Sequence, residues 1–335
     1  MDIVTQTVLG AGIGEVVLGK KAGNKALMWG AVGGLIPDMD VLFTRFYSVA
    51  DGLFVHRGFS HSLVFAFLMA PIMGWLIHRI HRKKMLITRI EWTQLMFWSI
   101  FTHPLLDYLT TYGTGAFLPF SSYRVELGTI GIVDVFYTLP FLLALLTLPF
   151  FNRKSKIRRY LMVGTLALTT GYLSLTVANK FYVNKVFEQA FKAQDISYER
   201  FRTSPLPLSN FLWMGIAEAS DGYHMALYSN FDEHHPTDFI YIPRNEHLLA
   251  PLSHDTDLQK LLLFTKGYYQ VGKDTEGLYL ADLRFGKMGI DETADYIFKF
   301  YLTADNQRVI INQARKSGEI DKGAFSAFLQ RIKGI

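Results

Sequence analysis

His56-Arg57-Gly58-Phe59-Ser60-His61-Ser62 runs straight into the apolar stretch Leu63-Val64-Phe65-Ala66-Phe67-Leu68-Met69-Ala70-Pro71-Ile72-Met73-Gly74-Trp75-Leu76-Ile77-His78-Arg79-Ile80. The second part approaches the about 20 apolar residues that carry a helix across a bilayer. The first part sets two imidazoles, a guanidinium and two hydroxyls at the mouth of that helix. Histidines and charges are rare in lipid and are usually functional there. The stretch therefore points to a helical membrane bundle with chemistry at one end.

Reading outward, Thr129 to Phe151 and Tyr160 to Ala178 are comparable apolar runs. Trp92 to Leu109 is apolar but interrupted by His103, Pro104 and Asp107. Ile3 to Leu18 and Ala26 to Ile36 are short and glycine-rich. Gly10, Gly12 and Gly14, with Gly30, Gly33 and Gly34, allow two helices to approach closely. A pair of re-entrant or interfacial helices is the alternative for these two. The expected fold is an α-helical polytopic membrane bundle of about six apolar helices, the first two short. Half the residues are hydrophobic and mean hydropathy is positive, unlike a soluble chain of this size.

Beyond Ala178 the composition changes. Phe231-Asp232-Glu233-His234-His235-Pro236 and Ser253-His254-Asp255-Thr256-Asp257 read as solvated. The expected units are therefore a membrane part, 1–178, and a soluble α+β domain, 179–335. Strands are expected around Asp238 to Ile242, Gly277 to Leu280 and Tyr296 to Tyr301, and helices over Val183 to Ala193 and Lys322 to Ile332. Asp232 to His235 is expected to be a solvated loop rather than a metal site. Trp213, Tyr223, Tyr268 and Tyr269 suit a sheet core more than a binding groove.

The chain has no cysteine, which excludes disulfides, thiolate ligands and a cysteine nucleophile. The net charge of +5 is small and sits mainly between apolar segments. It reads as a topology signal, not a nucleic-acid footprint. No charged n-region precedes the first apolar stretch, so no cleaved signal peptide is expected. Lys20, Lys21 and Lys25, then Arg79 to Arg89, then Arg153 to Arg159, all fall on one side if the segments alternate. With that side cytoplasmic, the C-terminal domain and every candidate ligand lie on the outer, periplasmic side of an inner membrane.

The candidate ligands come in three groups. In Pro37-Asp38-Met39-Asp40, two carboxylates can chelate hard cations, although proline and aspartate also make an ordinary helix stop. His56 and His61 offer imidazoles that suit zinc, and Arg57 between them suits a phosphate. Ser60 or Ser62 can cap the next helix. His103 and Asp107 project from one helix face. Asp134 lies about a turn into the fifth helix and is expected to face the bundle as a supporting group. Arg124 and Glu126 read as a surface pair.

In order and spacing, P-D-x-D, H-R-G-x-S-H-S and H-x-x-x-D resemble the membrane-bound metal-dependent hydrolases of the YdjM type over roughly the first 150 residues. The His/Asp order is more distantly similar to zinc-dependent phospholipase C enzymes. Many relatives carry Thr-His near the N-terminus, where this chain has Thr5-Gln6. The resemblance thus implies a metal position that is lost, weakened or filled by the Gln6 carbonyl oxygen.

Together these readings give an expected activity. Asp38, Asp40, His56, His61, His103 and Asp107 hold one or two divalent ions, with zinc preferred over manganese or magnesium. Arg57 and Asp40 are the expected catalytic groups, supported by Gln6, Ser62 and Asp134. The substrate is a membrane lipid or lipid-linked phosphoester, hydrolysed by metal-activated water. The alternative is a non-enzymatic ion-coupled transporter or metal sensor with a periplasmic receiver domain.

Overall fold

Close backbone contact between the first two helices organises the N-terminal half. In the computed structural model, which describes residues 1–287, 294–305, 308–314 and 322–335, α1 is Ile3–Ala22 and α2 is Asn24–Leu35. A β-carbon on Gly14 would lie 2.1 Å from the Ala26 carbonyl oxygen, and one on Gly10 would lie 2.4 Å from that of Gly30. Only glycine permits this approach, as the glycine pattern predicts. A 3-10 turn, Pro37–Asp40, follows, and then the short helices α3, Val41–Thr44, and α4, Val49–Val55. A second 3-10 turn, Phe59–His61, leads into α5, Leu63–His81. Next come α6, Arg89–Tyr108, α7, Val135–Thr147, and α8, Lys156–Ala193.

Among the described residues, two helices are long and apolar enough to cross a membrane, α5 and α8. The number is three if α2 and Pro37–Thr44, bent by 46°, form one broken span. About six spanning helices were expected, and the structure corrects this. The helix α1 is long enough but is the buried centre of the bundle, carrying Gln6 and Glu15 inside. Glu15 accepts from Arg158 Nε and Nη2 at 2.9 and 2.7 Å. The helix α6 carries Arg89, Glu91, His103 and Asp107. At about 1.5 Å per residue, α7 is shorter than the about 30 Å hydrocarbon layer.

Two apolar cores hold the bundle. One gathers Leu18, Ile77, Trp92, Leu95 and Ile100. The other gathers Val8, Leu106, Tyr137, Phe141 and Met162.

By internal contacts the chain divides into Met1–Phe43 with Val55–Val177, and Thr44–Phe54 with Ala178–Ile335. The short segment Thr44–Phe54 groups with the C-terminal unit, where Asp51 pairs with Lys260 at 2.7 Å and Phe54 packs on Phe264. The separate helix expected over Val183 to Ala193 is the last part of α8, because no proline or glycine interrupts the intervening residues.

The C-terminal unit has two four-stranded antiparallel sheets, each in sequential order. The first contains β1, Arg200–Pro205, β2, Leu212–Glu218, β3, Gly222–Ser229, and β4, Ile240–Pro243. The second contains β5, Tyr269–Asp274, β6, Gly277–Asp282, β7, Lys299–Asp305, and β8, Arg308–Gln313. Two helices accompany them, α9, Thr256–Phe264, and α10, Lys322–Ile332. Trp213, Tyr223 and Tyr268 are buried in sheet cores.

Candidate metal centre

Three sequence motifs meet at the end of the bundle where α2 stops, α5 starts and α6 finishes. Proline at the start of the Pro37–Asp40 turn ends α2 and swings Asp38 and Asp40 inward. The turn Phe59–His61 presents His61 before Ser62 caps α5 by accepting from the Phe65 N–H at 3.1 Å. On α6, His103 and Asp107 stack one turn apart.

His61 Nε2 and His103 Nε2 lie 3.0 Å apart. Asp38 Oδ1 is 3.3 Å from the first and 3.5 Å from the second. The far sides of both rings fix their tautomers. His103 Nδ1 sits 2.6 Å from the Gly34 carbonyl, which can only accept, so this nitrogen carries the proton. His61 Nδ1 faces Ser60 Oγ at 3.0 Å and Asp40 Oδ2 at 3.3 Å. Ser60 Oγ itself donates to Asp40 Oδ2 at 2.6 Å, so it accepts from His61. Both Nε2 atoms therefore present lone pairs to each other and to a carboxylate oxygen. With both rings neutral, three acceptors converge, and a metal ion or one added proton reconciles them.

The residues fit a divalent metal. Tetrahedral zinc, with bonds of about 2.0–2.2 Å, places its donors about 3.3–3.6 Å apart. The three separations here, 3.0, 3.3 and 3.5 Å, are close to that. The two imidazoles favour zinc over magnesium or manganese. Hydrogen bonds behind metal-binding histidines are the usual means of aiming them.

Asp40 occupies a different position from Asp38. It accepts from His56 Nδ1 at 2.8 Å, from the Arg57 N–H at 3.0 Å and from Ser60 Oγ, and it backs His61. It thus orients two rings at once. Asp38, Asp40 and His56 form a second three-donor group with atoms within 4.8 Å, sharing Asp38 with the first. In that group Asp40 already spends both oxygens on hydrogen bonds, and His56 is the more exposed imidazole.

Arg57 takes a backbone φ of 56°, which side chains rarely adopt, whereas Gly58 has φ −87° and ψ −126°. The left-handed residue of the turn is therefore the arginine. Its Nη1 donates to Thr110 Oγ1 at 3.0 Å, its Nε lies 3.2 Å from Asp107 Oδ2, and its plane covers the Tyr112 ring at 4.7 Å. The guanidinium is buried within the cluster. Asp107 Oδ2 lies 3.5 and 3.7 Å from His61 and His103 Nε2 and, beyond its ion pair with Arg57, has no hydrogen-bond partner among the described residues. Buried Gln6 donates Nε2 to Asp107 Oδ1 at 3.1 Å and to the His103 carbonyl at 3.2 Å, and its Oε1 has no partner among the described residues. The Met1 amine also meets Asp107.

Two expected supporters stand elsewhere. Ser62 is a helix cap, and Ser60 takes the place expected for it. Asp134 caps α7 through the Tyr137 N–H at 3.0 Å and accepts from Tyr172 Oη at 2.8 Å. Arg124, read as part of a surface pair, donates to the His56 and Gly113 carbonyls at 3.0 and 2.8 Å and braces the histidine turn. Among the described residues, Asp232 to His235 contributes to neither three-donor group. Thr110 and Tyr112 carried no signal in the sequence, since no spacing rule links them to Arg57.

A family model described as YdjM inner membrane protein matches residues 1–183. The chain belongs to that family. The match encloses all three motifs of the centre and ends within α8. Inner membrane protein YbcI of Escherichia coli (strain K12) is 34% identical over 107 residues, 32% of this chain and 57% of that protein. Uncharacterized protein YfhP of Bacillus subtilis (strain 168) is 28% identical over 152 residues, 43% of this chain and 45% of that protein. The chain thus spans about half the length of the curated relatives it matches. No solved structure matches it.

Proposed function

We propose that the chain is a metal-dependent hydrolase of the inner membrane, acting on a lipid or lipid-linked phosphoester at a periplasm-facing site. The observation that carries this reading is the convergence of His61 Nε2, His103 Nε2 and Asp38 Oδ1 within 3.0–3.5 Å. These three would hold a zinc ion, and Asp107 stands beside them. When bound, such an ion supplies Lewis-acid polarisation and makes water acidic enough to react near neutral pH.

The other residues do the positioning. Asp40 and Ser60 hold the His61 ring, and the Gly34 carbonyl holds that of His103. Arg57 is fixed by Thr110, Asp107 and Tyr112, so its charge is already in place when negative charge grows on a phosphoryl group. A guanidinium favours phosphoryl oxygens over an uncharged ester. Arg79, Arg82, Lys83 and Lys84 lie at the end of the α5 span opposite His61, which supports the periplasmic side.

The test is turnover in vesicles of phosphatidylethanolamine and phosphatidylglycerol containing the zinc-loaded chain. Release of a phosphorylated headgroup or a diacylglycerol, lost in His61→Ala, supports the reading. Zinc-loaded chain that releases neither contradicts it. The 46° break between α2 and the Pro37–Thr44 turn favours one other reading, since broken helices line transport sites. Movement of zinc across the vesicle membrane without any product would select transport.

A further inference from the structure

The turn that supplies Asp38 and Asp40 has a second face. Between the two carboxylates, Met39 is 53% exposed, and the next turn, α3, contains no buried residue. Val41, Leu42 and Phe43 are all exposed. Phe59, in the turn that supplies His61, is exposed as well, and it packs edge-on against Phe65 at the start of the α5 span. An apolar surface thus runs from α5 through Phe65 and Phe59, and the two turns are in contact. Met39 of this surface directly follows the donor Asp38 in the chain.

We infer that Met39, Val41, Leu42, Phe43 and Phe59 form a docking surface for the acyl chains of bilayer lipid, so that substrate reaches the centre sideways from the membrane. This deepens the hydrolase reading and rests on it for the word substrate. Three observations favour lipid as the occupant. The α2 helix and the Pro37–Thr44 turn together are apolar enough for a span, so the turn continues a membrane element. The family is one of inner membrane proteins. The surface joins the lipid-length helix α5, whose Phe67 and Leu68 are also exposed. Side chains of this kind avoid water, whereas irregular backbone at membrane depth is tolerated where it lines a polar site. Under this arrangement the acyl chains lie on the apolar face while the headgroup phosphoester meets Arg57 and the donors.

The absence of cysteine makes the surface directly testable. Leu42→Cys and Phe43→Cys, each carrying a nitroxide label, are reconstituted as the full chain in vesicles of phosphatidylethanolamine and phosphatidylglycerol. Collisions with oxygen, which partitions into lipid, are compared with collisions with a water-soluble nickel chelate. Phe67→Cys on α5 and Glu233→Cys in the C-terminal unit give the lipid and water references, and retained zinc shows that each variant keeps its centre. The expected result is a shift from nickel to oxygen collisions at both positions, as at Phe67→Cys. Nickel collisions like those of Glu233→Cys, or shielding from both reagents as a protein partner would cause, overturn the inference. The readout needs no turnover. Chain that hydrolyses nothing yet places these labels in lipid fails the hydrolase reading and keeps the surface.

Discussion

His61 and His103, 42 positions apart, bring their Nε2 atoms to 3.0 Å because each ring is pinned from behind, one by Asp40 and Ser60 and the other by the Gly34 carbonyl.

Asp40 acts through the rings it holds. Asp40→Asn should keep a zinc site but weaken it by about 10–100-fold, the usual effect of losing a partner behind a histidine ligand. His103→Ala should lose the ion altogether. Competition against a chelator of known affinity distinguishes the two.

Arg57 is separable from the metal. Arg57→Lys should retain zinc but lower phosphoester turnover by about 10²–10³-fold, since a lysine cannot reproduce the planar contacts to Thr110 and Tyr112. Arg57→Gly relieves the positive φ, so it should melt no lower than Arg57→Ala while remaining equally inactive. If Arg57→Lys turned over as fast as the parent, charge placement would not be the role of this side chain.

The close packing of α1 on α2 sets the depth of the centre, because Gly34 both touches α1 and holds His103. A β-carbon at Gly34 would lie 2.4 Å from the Gln6 carbonyl oxygen. Gly34→Ala should therefore destabilise the bundle by about 1–3 kcal/mol and release zinc more readily. The more distant Gly14→Ala, 2.1 Å from the Ala26 oxygen, should destabilise comparably with a smaller effect on zinc. Thermal unfolding in detergent and metal retention, measured together, check both.

In the C-terminal unit, burial raises the Asp274 pKa, but hydrogen bonds from Lys299, the Glu276 N–H and Tyr301 outweigh it and hold it at about 2. A carboxyl depressed on folding stabilises at pH above its unfolded value, and that contribution fades as pH falls towards the folded value. Asp274→Asn should therefore lower the unfolding temperature of this unit at neutral pH and remove part of the loss seen between about pH 4 and pH 2. An unchanged acid limb would show that the Lys299 contact is not a stabilising one.

The motifs and the glycine pattern were legible in the sequence because each rests on local rules. Proline stops α2 beside Asp38, glycines at helical spacing mark close packing, and His103 with Asp107 share a face. The number of spanning helices was not legible, because burial of α1 at the centre of the bundle depends on partners that periodicity does not reveal. Roles within the site were hidden for the same reason. Asp38 and Asp40 look equivalent in sequence, yet one faces the histidine nitrogens and the other braces the rings. Thr110 and Tyr112, which hold Arg57, come from a loop whose residues carry no motif. The continuity of α8 past Ala178 was missed because a change in composition was read as a break in structure, although no helix breaker lies there.

The central claim is that His61, His103 and Asp38 share one divalent cation. Zinc-edge X-ray absorption on the purified full chain tests it most directly. The account predicts bound zinc with two imidazole ligands and oxygen donors at about 2.0–2.2 Å, and loss of one imidazole contribution in His103→Ala. Zinc-exposed chain that retains no metal, or a zinc spectrum without imidazole that is unchanged in His103→Ala, would contradict it.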